Sequence, residues 1–214
     1  MTPGILQVFN RYLFPGGEEM SVDRIYHHLS TQHAMSRCFF ESAEWKAEGA
    51  PGTAGQVKRL FYNKESRARF ESALDASGAG VALFHNIFPV GSPSLYHAAL
   101  ERGLPVVQYL HNYRPFSVNG TLQVHGRVVQ DALYGSYWKE VCSGAWQGSV
   151  VKSALFAVML KALHRSGWLK SVKAWISISD FMRQKLVSAG ALPAARVHTL
   201  RHAWDAMPQP PVAE

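Results

Sequence analysis

Three kinds of signature are missing from this chain, and each absence removes a class of function. Of its 214 residues only Cys38 and Cys142 are cysteines, too few for a disulfide framework and without the close spacing of a zinc ligand pair. Both read as free thiols. Neither a Gly-x-Gly-x-x-Gly run nor a phosphate-binding Gly-Lys-Ser/Thr loop occurs, which argues against a nucleotide-dependent oxidoreductase or an ATPase. No apolar stretch reaches the roughly 18 to 20 uncharged residues that span a bilayer, and the N-terminus lacks a basic segment followed by an apolar one. A soluble, cytoplasmic protein is expected.

What the chain does have is apolar residues, at 47%, against 17% charged ones. That composition suits one well-cored globular domain. Net charge is +7, and the basic residues concentrate after position 150, where Lys161, Arg165, Lys170, Lys173, Arg183 and Arg196 are among them. Such a field favours anionic lipid headgroups, phosphorylated ligands or nucleic acid without choosing among them. Because the charges are scattered, an ordinary solvated surface stays open as a reading.

Two short apolar runs end in the same dipeptide. Val81-Ala82-Leu83-Phe84 leads into His85-Asn86, and Val106-Val107-Gln108-Tyr109-Leu110 leads into His111-Asn112. Between them Ser94 to Gly103 reads as a helix opened by Pro93 and closed by Gly103, which gives strand, helix, parallel strand. Both dipeptides then fall at the carboxyl edge of one sheet, where open α/β sheets bind ligands.

Similar units fill most of the chain. Gly4 to Phe9 reads as a first strand, followed by a glycine-containing loop and a helix carrying Val22, Ile25, Tyr26 and Leu29 at helical spacing. Ala34 to Phe40 is a second strand, Glu41 to Gly55 a loop, and Lys64 to Leu74 an exposed helix. Tyr113 to Ser149 is interrupted by Gly and Pro throughout and reads as irregular, a length of loop usually tied to function or mobility. Ser149 to Ser166 is an apolar helix bracketed by Trp146 and Trp168. For it two readings stay open, burial in the core or a surface for a lipid-linked acceptor or the membrane interface. Val172 to Ile178 is a strand, Ser179 caps a helix ending at Gly190, and Arg196 to Leu200 is a last strand. Met207-Pro208-Gln209-Pro210-Pro211 is a stiff extended ending. The alternation predicts an α/β fold, a Rossmann-like parallel sheet flanked by helices on both faces. Residues 1–205 form the expected domain and 206–214 the start of a linker.

These residues resemble the amino-terminal half of family 4 glycosyltransferases, retaining enzymes of the two-domain GT-B fold. The resemblance rests on Pro15-Gly16-Gly17-Glu18 after the first strand, and on Phe84-His85-Asn86 with Tyr109-Leu110-His111-Asn112-Tyr113-Arg114, continued by Asn119-Gly120-Thr121-Leu122 and Cys142. A third segment, Ile176-Ser177-Ile178-Ser179-Asp180-Phe181-Met182 with Lys185 and Gly190, is similar to the end of the family's first domain. The final Leu200-Arg201-His202-Ala203-Trp204-Asp205 departs from the family pattern, with His202 at an asparagine position.

The resemblance implies the acceptor-binding half of an enzyme that moves a sugar from a nucleotide-diphosphate sugar to a glycan or lipid-linked acceptor. A carboxy-terminal domain not in this chain would hold most of the donor, leaving the fragment alone inactive. It implies His111 on the catalytic face, Gly16 and Gly17 near the donor phosphates, and His85, Asn86, Asn112 and Arg114 around the acceptor. Backbone N–H groups at a glycine-led helix start suit an anion; a plain tight turn, a histidine bonded to loop backbone and an arginine in a loop salt bridge remain the alternatives. No cofactor, metal or nucleic-acid partner is expected: His27 and His28, adjacent on a helix, point apart. A peripheral contact with the inner face of the membrane is compatible with the apolar helix. The alternative of a different class is a non-catalytic module binding a carbohydrate or glycolipid.

Overall fold

The computed structural model describes residues 3–14 and 16–202. Pro15 of the glycine loop, the Ala203-Trp204-Asp205 end of the last motif and the expected linker at 206–214 lie outside the described residues.

Strand β1, Ile5–Arg11, is buried along both faces over Leu6 to Asn10, the pattern of a central parallel strand covered on both sides. It leads through Gly16 into helix α1, Gly17–Leu29, and then β2, Met35–Glu41. Two helices follow, α2 at Thr53–Phe61 and α3 at Lys64–Ser77. Next come β3 (Val81–Phe84), α4 (Ser94–Glu101) and β4 (Val106–Leu110). A small antiparallel pair, β5 (Gln123–Val124) with β6 (Arg127–Val128), precedes α5 at Trp138–Cys142 and α6 at Val150–Ser166. The chain closes with β7 (Val172–Ser177), α7 (Asp180–Ser188) and β8 (Val197–Thr199).

The main sheet has six strands in the order β2-β1-β3-β4-β7-β8, all parallel. Strand order reverses between β1 and β3, so their carboxyl ends diverge into a crevice, the usual ligand position in such sheets. Alternation decides which side each residue faces. Gln7 and His85 point toward α1, where the Gln7 amide donates to the Val22 carbonyl at 2.8 Å. Phe84 and Gln108 point to the other side, meeting Phe70 of α3 and Tyr96 of α4.

Helix boundaries follow their capping chemistry. Asn63 Oδ1 accepts from the Glu65 and Ser66 amides at the start of α3, and Gly78 ends it in the left-handed region. Ser179 Oγ caps α7, as its sequence position predicts, and Ser149 Oγ caps α6 in the same way.

Three expectations need correction. Helix α3 is not exposed: Phe70 is fully buried against Phe84, because one apolar position per turn suffices to face the sheet. The stretch 41–55 is not all loop, since it contains a 3-10 turn at Ser42–Trp45 and the start of α2, whose Leu60 is its one buried residue. The stretch 113–149 holds β5, β6, a 3-10 turn at Asp131–Tyr134 and α5. It is organised from within by a buried carboxylate: Glu140 accepts from Ser117 Oγ at 2.5 Å and from the Val118 amide at 2.8 Å. Helix α6 packs into the core, burying Phe156, Met159, Leu160 and Leu163, and leaves Val150, Val151 and Val158 exposed.

Candidate functional site

The carboxyl ends of β1, β3 and β4 bring together His85, Asn86, His111, Asn112 and Arg114 around a narrow crevice that Glu18 also lines. Glu18 is the residue that the motif carried without a role. It sits in the first turn of α1 behind Gly16 and Gly17, and its Oε2 accepts from the Tyr12 hydroxyl at 2.7 Å and from Asn112 Nδ2 at 3.1 Å. Oε1 is buried with no hydrogen-bond partner. Burial raises the carboxyl to about 7, despite the Tyr12 hydroxyl, the Arg114 charge and the Asn86 backbone, which all favour the ionised form. Near neutral pH Glu18 can therefore either hold or accept a proton.

Asn86 and Asn112 shape the crevice by Asx-type bonds. Asn86 Oδ1 accepts from the Phe88 amide and its Nδ2 donates to the Tyr12 hydroxyl at 2.7 Å. Asn112 Oδ1 accepts from the Arg114 amide at 2.9 Å. Arg114 turns inward under the loop, donating to the Val118 carbonyl at 2.5 Å with its guanidinium 4.6 Å from the Trp146 ring. Burial lowers its pKa, opposed by Tyr12, Glu18 and Glu140. Its place beneath the loop makes it the organiser of the 112–120 turn. Gly120 completes that turn at φ +77°, where a Cβ would stand 3.3 Å from both Arg114 Nε and Asn112 Oδ1.

The two histidines expected to line separate parts of the site touch each other. His85 Nδ1 lies 2.8 Å from His111 Nε2, and His111 Nδ1 lies 3.1 Å from His202 Nε2. His202 Nδ1 then lies 3.4 Å from Ser21 Oγ. The protons in this chain of rings have one consistent direction. Because the Gln7 amide donates to the Val22 carbonyl, the same NH2 group faces His85 Nε2 at 3.1 Å and makes that nitrogen an acceptor. His85 then donates from Nδ1 to His111, His111 from Nδ1 to His202, and His202 to Ser21, whose hydroxyl donates to the Gly17 carbonyl at 2.9 Å. All three rings are neutral in this arrangement. Burial, reinforced by neighbouring imidazoles, pushes His85 down to about 3 and His111 to about 2. Burial and the Arg24 charge lower His202 as well.

Both ring nitrogens of His111 are therefore engaged, and those of His85 are buried with it. Sequence spacing placed the two at neighbouring strand ends; it carried no signal for His202, 91 positions further along the chain, as the third ring. Gly16 and Gly17 open the helix into free space, with nothing within 4 Å of a Cβ at either. Close packing does not require them to be glycine. Among the described residues no group of three or more His, Cys, Asp or Glu side chains is arranged to hold a metal ion. Cys38 is a buried free thiol and Cys142 an exposed one.

Sheet order and crevice define an α/β domain of the Rossmann-like, GT-B-like class. No protein-family model and no curated protein matches the chain. Among solved structures it is similar to UDP-GlcNAc 2-epimerase from Neisseria meningitidis bound to UDP-GlcNAc, with a TM-score of 0.51 and 11% identity over 92% of this chain and 45% of that one. UDP-N-acetylglucosamine 2-epimerase from Rickettsia bellii gives a TM-score of 0.50 and 10% identity over 92% and 44%. At these identities the likeness is one of fold. The chain spans less than half the length of these neighbours.

Proposed function

We propose that this chain is the acceptor-side half of a nucleotide-sugar enzyme, a retaining glycosyltransferase that moves a sugar from a nucleotide-diphosphate sugar to a glycan or lipid-linked acceptor hydroxyl. The observation that carries the reading is Glu18: a buried carboxyl near 7, with one oxygen lacking a partner, at the switch-point crevice and beside an open glycine-led helix start. In the transfer the anomeric carbon–oxygen bond to the diphosphate breaks and a bond to the acceptor oxygen forms. The acceptor proton leaves, and in this reading Glu18 in its ionised form orients that hydroxyl through Oε1 and receives the proton. Developing charge on the departing diphosphate is met by the backbone N–H groups after Gly16 and Gly17. Asn86, Asn112 and Arg114 keep the Glu18 pocket in shape, and His85 fixes His111.

His111 enters as a neutral donor, not as an acid. A substrate oxygen that takes the place of His202 accepts a hydrogen bond from the Nδ1–H of His111, whose orientation Gln7 and His85 already determine. The fold likeness to UDP-sugar-binding structures supports a nucleotide-sugar reaction, and the resemblance of the His-Asn strand ends to family 4 supports transfer over epimerisation.

The test is nucleoside-diphosphate release by the natural full-length protein across a panel of nucleotide sugars and glycan acceptors. Glu18→Gln is expected to lower kcat by about 10² or more with an unchanged fold, and His111→Ala to lower it less, about tenfold or more. Wild-type turnover in both variants would sink the assignment. Acceptor binding without any nucleotide release would favour the carbohydrate-binding module instead.

A further inference from the structure

Helix α6 is apolar on its outer face as well as its inner one. At about 100° per residue, Val151, Leu155, Val158 and Ala162 fall on one stripe about 60° wide. It lies opposite the buried Phe156, Leu160 and Leu163. Val151 is 69% and Val158 55% exposed, and Ala162 is exposed beside them. A helix apolar all round lies in a core or meets a further apolar phase. Basic residues frame this stripe. Lys152 and Lys161 flank it on either side and Arg165 closes it, all three exposed, with no Asp or Glu in the helix. None of these cations has an acidic partner among the described residues: Lys152 Nζ donates to Gln147 Oε1 at 2.9 Å, and Lys161 Nζ stands 5.9 Å from the Tyr137 ring. From Val141 to His202 the one acidic residue is Asp180, itself ion-paired with Arg201. Next to Tyr137, the Trp138 side chain is exposed.

We propose that the outer face of α6 lies on an anionic lipid bilayer, its valine-lined stripe among the upper acyl chains and Lys152, Lys161 and Arg165 among the phosphates. Three features select that occupant. The stripe is aliphatic, which suits acyl chains and offers no platform for stacking nucleobases. Its frame is positive and uncompensated, which draws it to a negative surface and opposes pairing with a second copy of the same face. An exposed indole at the cationic flank fits the boundary between headgroups and chains. The inner side of the helix carries Phe156, whose ring lies 5.8 Å from the Arg114 guanidinium of the crevice. A bilayer on the outer side therefore stands about one helix diameter, roughly 10–12 Å, from a crevice residue. The inference does not depend on glycosyl transfer.

Vesicle co-sedimentation of the full chain tests it, with bilayers of phosphatidylcholine alone or mixed with phosphatidylglycerol. Binding to the anionic vesicles is expected to be tighter by about a hundredfold, since each basic residue near a charged surface contributes about fivefold. Raising salt from about 0.1 to 0.5 M should weaken it by about tenfold. Val151→Glu with Val158→Glu changes only exposed side chains and should lower anionic-vesicle binding by about tenfold or more. Lys152→Glu with Lys161→Glu should erase the preference for phosphatidylglycerol. Met20→Glu, an exposed apolar position on α1, should leave binding as it is. Should the valine pair not fold, the lysine pair alone decides. Equal binding to both vesicle types overturns the proposal, as does unaltered binding by the folded valine pair. Absence of binding at about 1 mM lipid does so too, and would mean that a protein partner covers the stripe. Capture of single-stranded RNA that the lysine changes abolish and the valine changes spare would assign the face to nucleic acid instead.

Discussion

At the scale of single residues, Glu18 and the histidine chain pull stability in opposite directions with pH. Glu18 has a folded value near 7, above its ordinary 4.5. Its protonated form is therefore favoured by folding, a contribution complete below pH 4.5 and lost as pH rises through 7. His85 and His111 have folded values depressed from 6.5 to about 3 and 2. Their contribution is complete above 6.5 and is lost as pH falls, by roughly 2–3 kcal/mol per unit for the two together. The three groups together should therefore make stability rise from pH 5 to about 7 and stay nearly level above it. Glu18→Gln isolates the carboxyl: it should stabilise the chain by about 1–3 kcal/mol at pH 8 and by under about 1 kcal/mol at pH 5. Urea denaturation at the two pH values measures the difference, and a gap that does not change with pH would mean that the carboxyl is not desolvated. Glu18 was legible only as a letter in a glycine-loop motif. Its role depends on Tyr12, Asn112 and burial, none of which sequence spacing reports.

At the scale of elements, local sequence signals carried far. The β3–α4–β4 unit, its Pro93 and Gly103 boundaries and the Ser179 cap of α7 all read directly from turn and cap chemistry, because those signals act within a few residues. Elements stabilised by distant partners did not. Helix α2 has a single buried residue and no side-chain cap, and the 113–149 region depends on Glu140 reaching back to Ser117 and Val118. Two glycines separate the kinds of requirement. Gly120→Ala should cost about 1–3 kcal/mol, since an L-residue at φ +77° is strained and its Cβ presses on Arg114 and Asn112. Gly17→Ala, at the first residue of α1 with open space around it, should be neutral or stabilising by up to about 1 kcal/mol. Thermal unfolding of the two variants checks this. Equal losses would mean that the α1 start is packed more tightly than the open space around Gly17 implies.

At the scale of the whole molecule, the proposed function makes the crevice one wall of a larger site. The chain covers 44–45% of the length of its structural neighbours, and its candidate groups all belong to the carboxyl edge of a single sheet. If a facing domain supplies the donor contacts, UDP and other nucleoside diphosphates should bind this chain alone no tighter than about 1 mM. Micromolar affinity by calorimetry would put the donor site here and reverse that division of labour. The same scale leaves part of one sheet face bare. Reversal of strand order sends α1 to one side and α3 and α4 to the other, so β3 and β4 keep an apolar surface that no helix between described strands covers.

Sequence by itself determined the alternation of strands and helices, the parallel sheet and the placing of both His-Asn pairs at one edge, because hydrophobic period, glycine, proline and capping residues act locally. Tertiary structure decided what those residues do. Only folding joins Gln7, His85, His111 and His202 into one directed chain of neutral rings, and only folding buries Glu18 beside Tyr12. It also leaves sheet surface uncovered where the strands lack a second layer. Each of these depends on desolvation and on contacts between residues far apart in the chain, and neither quantity is written in the order of the residues.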